Sequence, residues 1–136
     1  MESTRAQAAQ IKLELAQQAA RAEAVEAQRL IDWFIAEAKA RGLEPVPLRA
    51  RLIDGRMVRT DKSGWYLRQD HSIAIDTDGG YQHLVVPGGW RERLHGARLI
   101  AAQPTLIVGR GGRDGETGTL REFLTWVLEG RVDQRG

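Results

Sequence analysis

The chain has 136 residues, a formal charge of +2, and 42% hydrophobic and 28% charged residues. That is one domain's worth of ordinary globular composition, long enough to bury a core without staples. There is no cysteine, which excludes disulfides, thiolate nucleophiles and Cys-ligated metals. The polar N-terminus is not a secretory signal, and no apolar run approaches the roughly 20 residues of a membrane span. A cytoplasmic protein without membrane partners is expected.

Residues 1–41 contain no Gly or Pro and are mostly Ala, Gln, Glu, Leu, Arg and Lys, all strong helix formers. They predict a helical arm from about Thr4 to Arg41. Its end is marked at Gly42-Leu43-Glu44-Pro45-Val46-Pro47. Gly42 suits the left-handed residue after a helix, Leu43 can close a hydrophobic contact, and Pro45 prevents continuation. Glu37 and Arg41 form an i, i+4 pair near that end. Such a helix runs about 55 Å, whereas the rest of the chain makes a body roughly 30 Å across. The arm therefore outreaches its own domain.

The faces of the arm point the same way. At 100° per residue Leu13, Ala20, Ala24, Ala27, Ile31, Phe34, Ile35 and Ala38 share one stripe, whose bulky C-terminal part is expected to pack on the domain. Ile11, Leu15, Ala22 and Trp33 lie nearly opposite. A helix apolar on two faces is sandwiched or shared, so a protein partner or a second copy of the chain is expected here. The competing reading is that the first 15–20 residues are a frayed, solvated helix.

From residue 42 to 136 the pattern becomes that of a small, mostly β domain. Asp54-Gly55 separates Val46–Ile53 from Arg56–Thr60, and Asp78-Gly79 separates Ser72–Thr77 from Tyr81–Val86, two hairpin signals. Asp61-Lys62-Ser63-Gly64 and Gln69-Asp70-His71 bracket a short strand, Trp65–Arg68. Together these predict a five-strand antiparallel meander, either a sheet or a small open barrel. Residues 90–97 are ambiguous after Pro87-Gly88-Gly89, with one helical turn as the reading offered, and Arg98–Ala102 and Thr105–Gly109 read as further strands. A last helix is expected from Leu120 to Glu129, with Leu120, Phe123, Leu124, Val127 and Leu128 on one face. Thr119 and Glu122 form a capping box at its start, and Gly130 ends it. The fold class is α+β, with this helix packed on the sheet.

No catalytic constellation emerges. The loop Gly109-Arg110-Gly111-Gly112-Arg113-Asp114-Gly115-Glu116-Thr117-Gly118 lies between an apolar strand and a capped helix, an arrangement that can hold an anion. It lacks Walker spacing, and Asp114 stands where a dinucleotide fingerprint needs its third glycine. Arg110, Gly111, Gly112 and Arg113 remain a candidate anion loop. Ile107-Val108-Gly109-Arg110 is similar to the opening of a forkhead-associated domain, but only a helix follows where that sandwich needs strands. Trp65-Tyr66-Leu67 spells the name of a ligand-sensing domain of bacterial regulators without a flanking pattern, and aromatics in a strand read as core. His71, His83 and His95 match no metal-site spacing. His71 and Ser72, as neighbours in a strand, would point to opposite faces. Neither an enzyme nor a cofactor is expected.

Charge and aromatic placement leave two candidate surfaces. The arm is neutral, with six acids and six bases over residues 1–41, whereas residues 49–68 hold six bases against Asp54 and Asp61. Arg49, Arg51, Arg56, Arg59 and Arg68 are thus candidate contacts to a polyanion such as nucleic acid. Trp33 and Trp126 lie off the core stripes of their helices, so they either pack on each other or form a contact surface. The leading expectation is a non-enzymatic interaction or adaptor module, a homodimer through the arm, with Ile11, Leu15, Trp33 and Trp126 at the interface. Nucleic-acid binding through the arginines is the alternative.

Overall fold

The computed structural model describes residues 2–109 and 117–135, with side chains from residue 4 onward. Helix α1 (Glu2–Ala40) is followed by β1 (Val46–Leu52), β2 (Met57–Tyr66), β3 (Ile73–Asp76), β4 (Tyr81–His83) and β5 (Val85–Val86). The short helix α2 (Trp90–His95), strands β6 (Ile107–Val108) and β7 (Gly118–Thr119), and helix α3 (Leu120–Leu128) complete the chain. The fold is α+β.

The break after α1 has the expected chemistry. Gly42 takes φ 69°, the Leu43 N–H reaches the Ala38 carbonyl at 2.8 Å, and the Gly42 N–H reaches Lys39 at 3.1 Å. This paired 6→1 and 5→2 closure satisfies carbonyls that a helix end leaves open. Glu37 and Arg41 are 3.4 Å apart. At the other end of the chain both halves of the Thr119/Glu122 capping box are formed at the start of α3.

The sheet departs from a simple meander in two places. Residues 61–64 do not turn. They lie inside β2, whose register against β1 shifts between Pro47 and Arg49, with the Thr60 hydroxyl donating to the Leu48 carbonyl at 2.8 Å. Gly64 serves close approach rather than a bend, because a Cβ there would collide with the backbone oxygen of Ile75. The second departure is at Leu84. Residues 81–86 divide into β4, antiparallel to β3, and β5, parallel to β1. The order is β4-β3-β2-β1-β5, a mixed sheet rather than an all-antiparallel one. Leu84 donates to Ser72 and accepts from Arg51, so one residue is bonded to both flanks. The sheet curls without closing into a barrel.

Curling gives the sheet a concave interior and an outer face. Leu48, Tyr66, Ala74, Leu84 and Leu99 fill the interior, adjoined by Ala50, Leu52, Val58 and Ala97. On the outer side Trp65, Leu67, Ile73, Ile75 and Tyr81 pack beneath α1 and α3. That is why all four residues of β3 are buried instead of alternating. The helices cover the β2–β3–β4 part of the outer face. They leave β1 and the first half of β2 bare, where Arg49, Arg51, Met57 and Arg59 alternate with buried neighbours.

The region expected to hold two further strands, residues 98–109, pairs only briefly. Ala97 bridges Thr60 and Ala102 bridges Tyr81, and β6 pairs with β7. The residues after α3 latch onto the sheet: the Gln134 amide accepts from the Tyr66 N–H at 2.7 Å and donates to the Tyr66 carbonyl at 2.8 Å.

Candidate functional site

Two surfaces lack cover. The first runs along α1. Residues 4–19 are exposed on every side, and contact with the body begins at Ala20. Glu23 accepts from the Leu106 N–H at 2.8 Å, and Ala27, Ile31, Phe34 and Ala38 are fully buried. Phe34 meets Trp65 edge-on at 5.3 Å. Opposite that stripe Ile11 is 56% exposed, Leu15 59%, Val25 54% and Trp33 38%. Ala8, Ile11, Leu15, Ala22 and Val25 are spaced three, four, seven and three residues apart, which keeps them on one face. Ala8 and Val25 are the members that sequence reading missed. Their signal was the same spacing continued before Ile11 and past Ala22. Leu13 lies on the packed stripe but beyond the reach of the body, so it too is exposed.

Trp33 and Trp126 do not pack on each other. The Trp126 ring meets Phe123 edge-on at 5.0 Å, and the Arg131 guanidinium sits 5.5 Å from its centroid. Trp126 is half-buried against the core, which accounts for its ring within its own domain. Trp33 instead lines a groove of about 450 Å³ with Glu26, Arg29, Leu30, Leu106 and Arg121.

The second surface is the bare sheet face, and the five arginines divide on it. Arg49 and Arg59 are directly opposed across β1 and β2, and Arg51 lies between Met57 and Val85 in register. Arg56 belongs to the hairpin turn, 3.8 Å from Asp54. Arg68 is buried and 3.7 Å from Asp70, so it is not part of an exposed basic face. The alternation that places Arg49, Arg51 and Arg59 outward belongs to β1 and the first half of β2, whereas Arg68 lies past the end of β2, beside Asp70. Asp70 titrates below the usual carboxylate range. Burial pushes it up, but the Ser72 hydroxyl and N–H and the charges of Arg68 and Arg51 outweigh that.

Helix α2 extends this surface. It has no buried residue, and Trp90 is 68% exposed, with Leu94 beside it at i+4. It is fixed through its backbone and one guanidinium: Arg59 Nη2 donates to the Leu94 carbonyl at 3.1 Å, and the Ala97 N–H donates to Arg59 at 2.8 Å. Residues 97–100 alternate buried and exposed, which turns Arg98 and Ile100 outward. The helical turn offered for residues 90–97 is present as α2. The i, i+4 pair Trp90/Leu94, with Arg91 and Arg93 interleaved, was the available signal.

The other polar groups have structural partners. Asp76, buried at the β3–β4 turn, accepts from the Asp78 and Gly80 N–H groups and from the Gln82 amide. Burial raises its carboxyl, and these bonds together with Lys62 pull it below its ordinary value. His71 stacks on Tyr66 at 3.8 Å, while His83 meets Tyr81. Among the described residues no group of three or more His, Asp or Glu is placed to hold a metal, and no helix is long and apolar enough to cross a membrane. The candidate anion loop, Arg110, Gly111, Gly112 and Arg113, lies outside the described residues.

No family model matches the chain, and comparison with curated proteins and with solved structures finds no match.

Proposed function

We propose that the protein is a non-enzymatic interaction module that self-associates through the outer face of α1. The observation that carries this reading is the exposed row Ala8, Ile11, Leu15, Ala22 and Val25, part of it on a segment that no described residue of the same chain covers. The row follows the three-and-four spacing of a helix–helix seam, with Gln18 the polar residue within it. Five apolar side chains at three- and four-residue spacing are too many for a solvated helix face and too few for a core.

A second copy is the occupant that fits. The arm is neutral along its length, so two arms approach without net repulsion. Its alanines allow close contact, and an identical seam is available on each copy. A 16-residue helical projection gains nothing from its own domain, and isolated helices of that length are marginal in water. Pairing supplies the missing burial.

Sedimentation of the full chain over a range of concentrations tests this. The wild type should sediment as a dimer, and the double variant Ile11→Glu, Leu15→Glu as a folded monomer with the same body spectrum. A wild-type chain that stays monomeric at every accessible concentration would sink the reading.

A further inference from the structure

We infer that the bare sheet face and α2 form a second, separate site that binds single-stranded nucleic acid, with arginines on the phosphates and Trp90 stacked on a base.

The first argument is charge without counter-charge. Among the described residues none of Arg49, Arg59, Arg93 and Arg98 forms an ion pair, and Arg51, whose charge acts on Asp70, makes no contact pair with it. Arg49 and Arg59 face each other across the strands, and like charges in that position destabilise a sheet unless an anion lies between them. The nearby acids are already engaged: Asp61 accepts from the Leu99 N–H, Glu92 from the Gly89 N–H, and Asp70 from Ser72. The second argument is geometry. Arg59 bonds the last turn of α2, which joins the strand arginines to Arg93, and Trp90 lies one helical turn from Arg93 on the same short helix. Cations beside an exposed indole on a rigid support suit a chain that repeats a phosphate and a base at every unit. A duplex hides its base faces from the indole. An acidic polypeptide offers the charge but no repeated stacking partner.

Anisotropy of a labelled oligothymidine of about 20 nucleotides, titrated with the full-length protein, provides the test. With roughly four phosphates engaged, affinity should fall about 50-fold between about 50 mM and about 200 mM salt. Replacing both opposed arginines, Arg49→Gln with Arg59→Gln, should flatten that salt dependence by roughly two contacts. Trp90→Ala should weaken binding about ten-fold and leave the salt dependence unchanged. All three positions are exposed, and an unchanged melting temperature will establish that the variants remain folded. The site lies off α1, so the same binding is expected from the Ile11→Glu, Leu15→Glu variant, whatever its oligomeric state. Any of three results overturns the inference: no binding at low salt, a salt dependence indifferent to the double arginine variant, or equally tight binding of a duplex or a poly-glutamate peptide.

Discussion

Helix α3 has nine residues and the projecting part of α1 has sixteen, yet the shorter one is the better anchored. In α3, Leu120, Phe123, Leu124 and Val127 are buried, and the Thr119 hydroxyl and Glu122 carboxylate close its first turn. Residues 4–19 of α1 have favourable composition and not one buried side chain. Propensity contributes tenths of a kcal/mol per residue, whereas a buried aromatic contributes several. The difference teaches that a helix rich in alanine is a statement about local preference, and its permanence depends on what it covers. In α3 cover comes from the chain itself. Among the described residues nothing covers positions 4–19 of the arm.

Three measurements bear on that contrast, the strongest first. Phe123→Ala should cost about 3–5 kcal/mol of unfolding free energy in a denaturant titration, because its ring is fully buried and meets Trp126. A loss below 1 kcal/mol would mean that α3 is held no more firmly than the arm. Thr119→Ala should cost about 1 kcal/mol by removing the acceptor for the Glu122 N–H. The smallest effect is acid-dependent. The Thr119 N–H and hydroxyl hold the Glu122 carboxyl below its ordinary value. A depressed folded value means that this stabilisation is complete above the unfolded value and is lost as pH falls through the folded one. The protection of the first-turn amides of α3 against exchange, taken relative to the intrinsic rate at each pH, should therefore fall below about pH 4, and Glu122→Gln should remove that fall. Protection that is flat with pH in the wild type would show that the carboxylate adds nothing to the cap.

The parts of the fold written in local chemistry were legible in the sequence. Gly42 with Leu43, Thr119 with Glu122, and the two Asp-Gly turns each fix a structure within a few residues, and each formed as read. Choices settled by distant neighbours were not legible. Asp61-Lys62-Ser63-Gly64 has turn composition but continues a strand, because the bulge against β1 and the approach of Ile75 absorb it. Residues 81–86 read as one strand and are shared between two partners. The same division holds for the candidate surfaces. Ile11 and Leu15 were visible from helical spacing alone. Arg68 lies past the end of β2, so the alternation of that strand does not encode its burial.

Leu84 carries a consequence for how the domain moves. Its amide and carbonyl are bonded to opposite flanks of the sheet, so neither flank can peel away while the other stays shut. Breaking the one joint releases both, and holding it holds both. Residues 46–86 should then exchange as a single cooperative unit rather than fray from an edge. The sheet would be rigid by connectivity, a steady base beneath its bare face and beneath the helices that cover the rest.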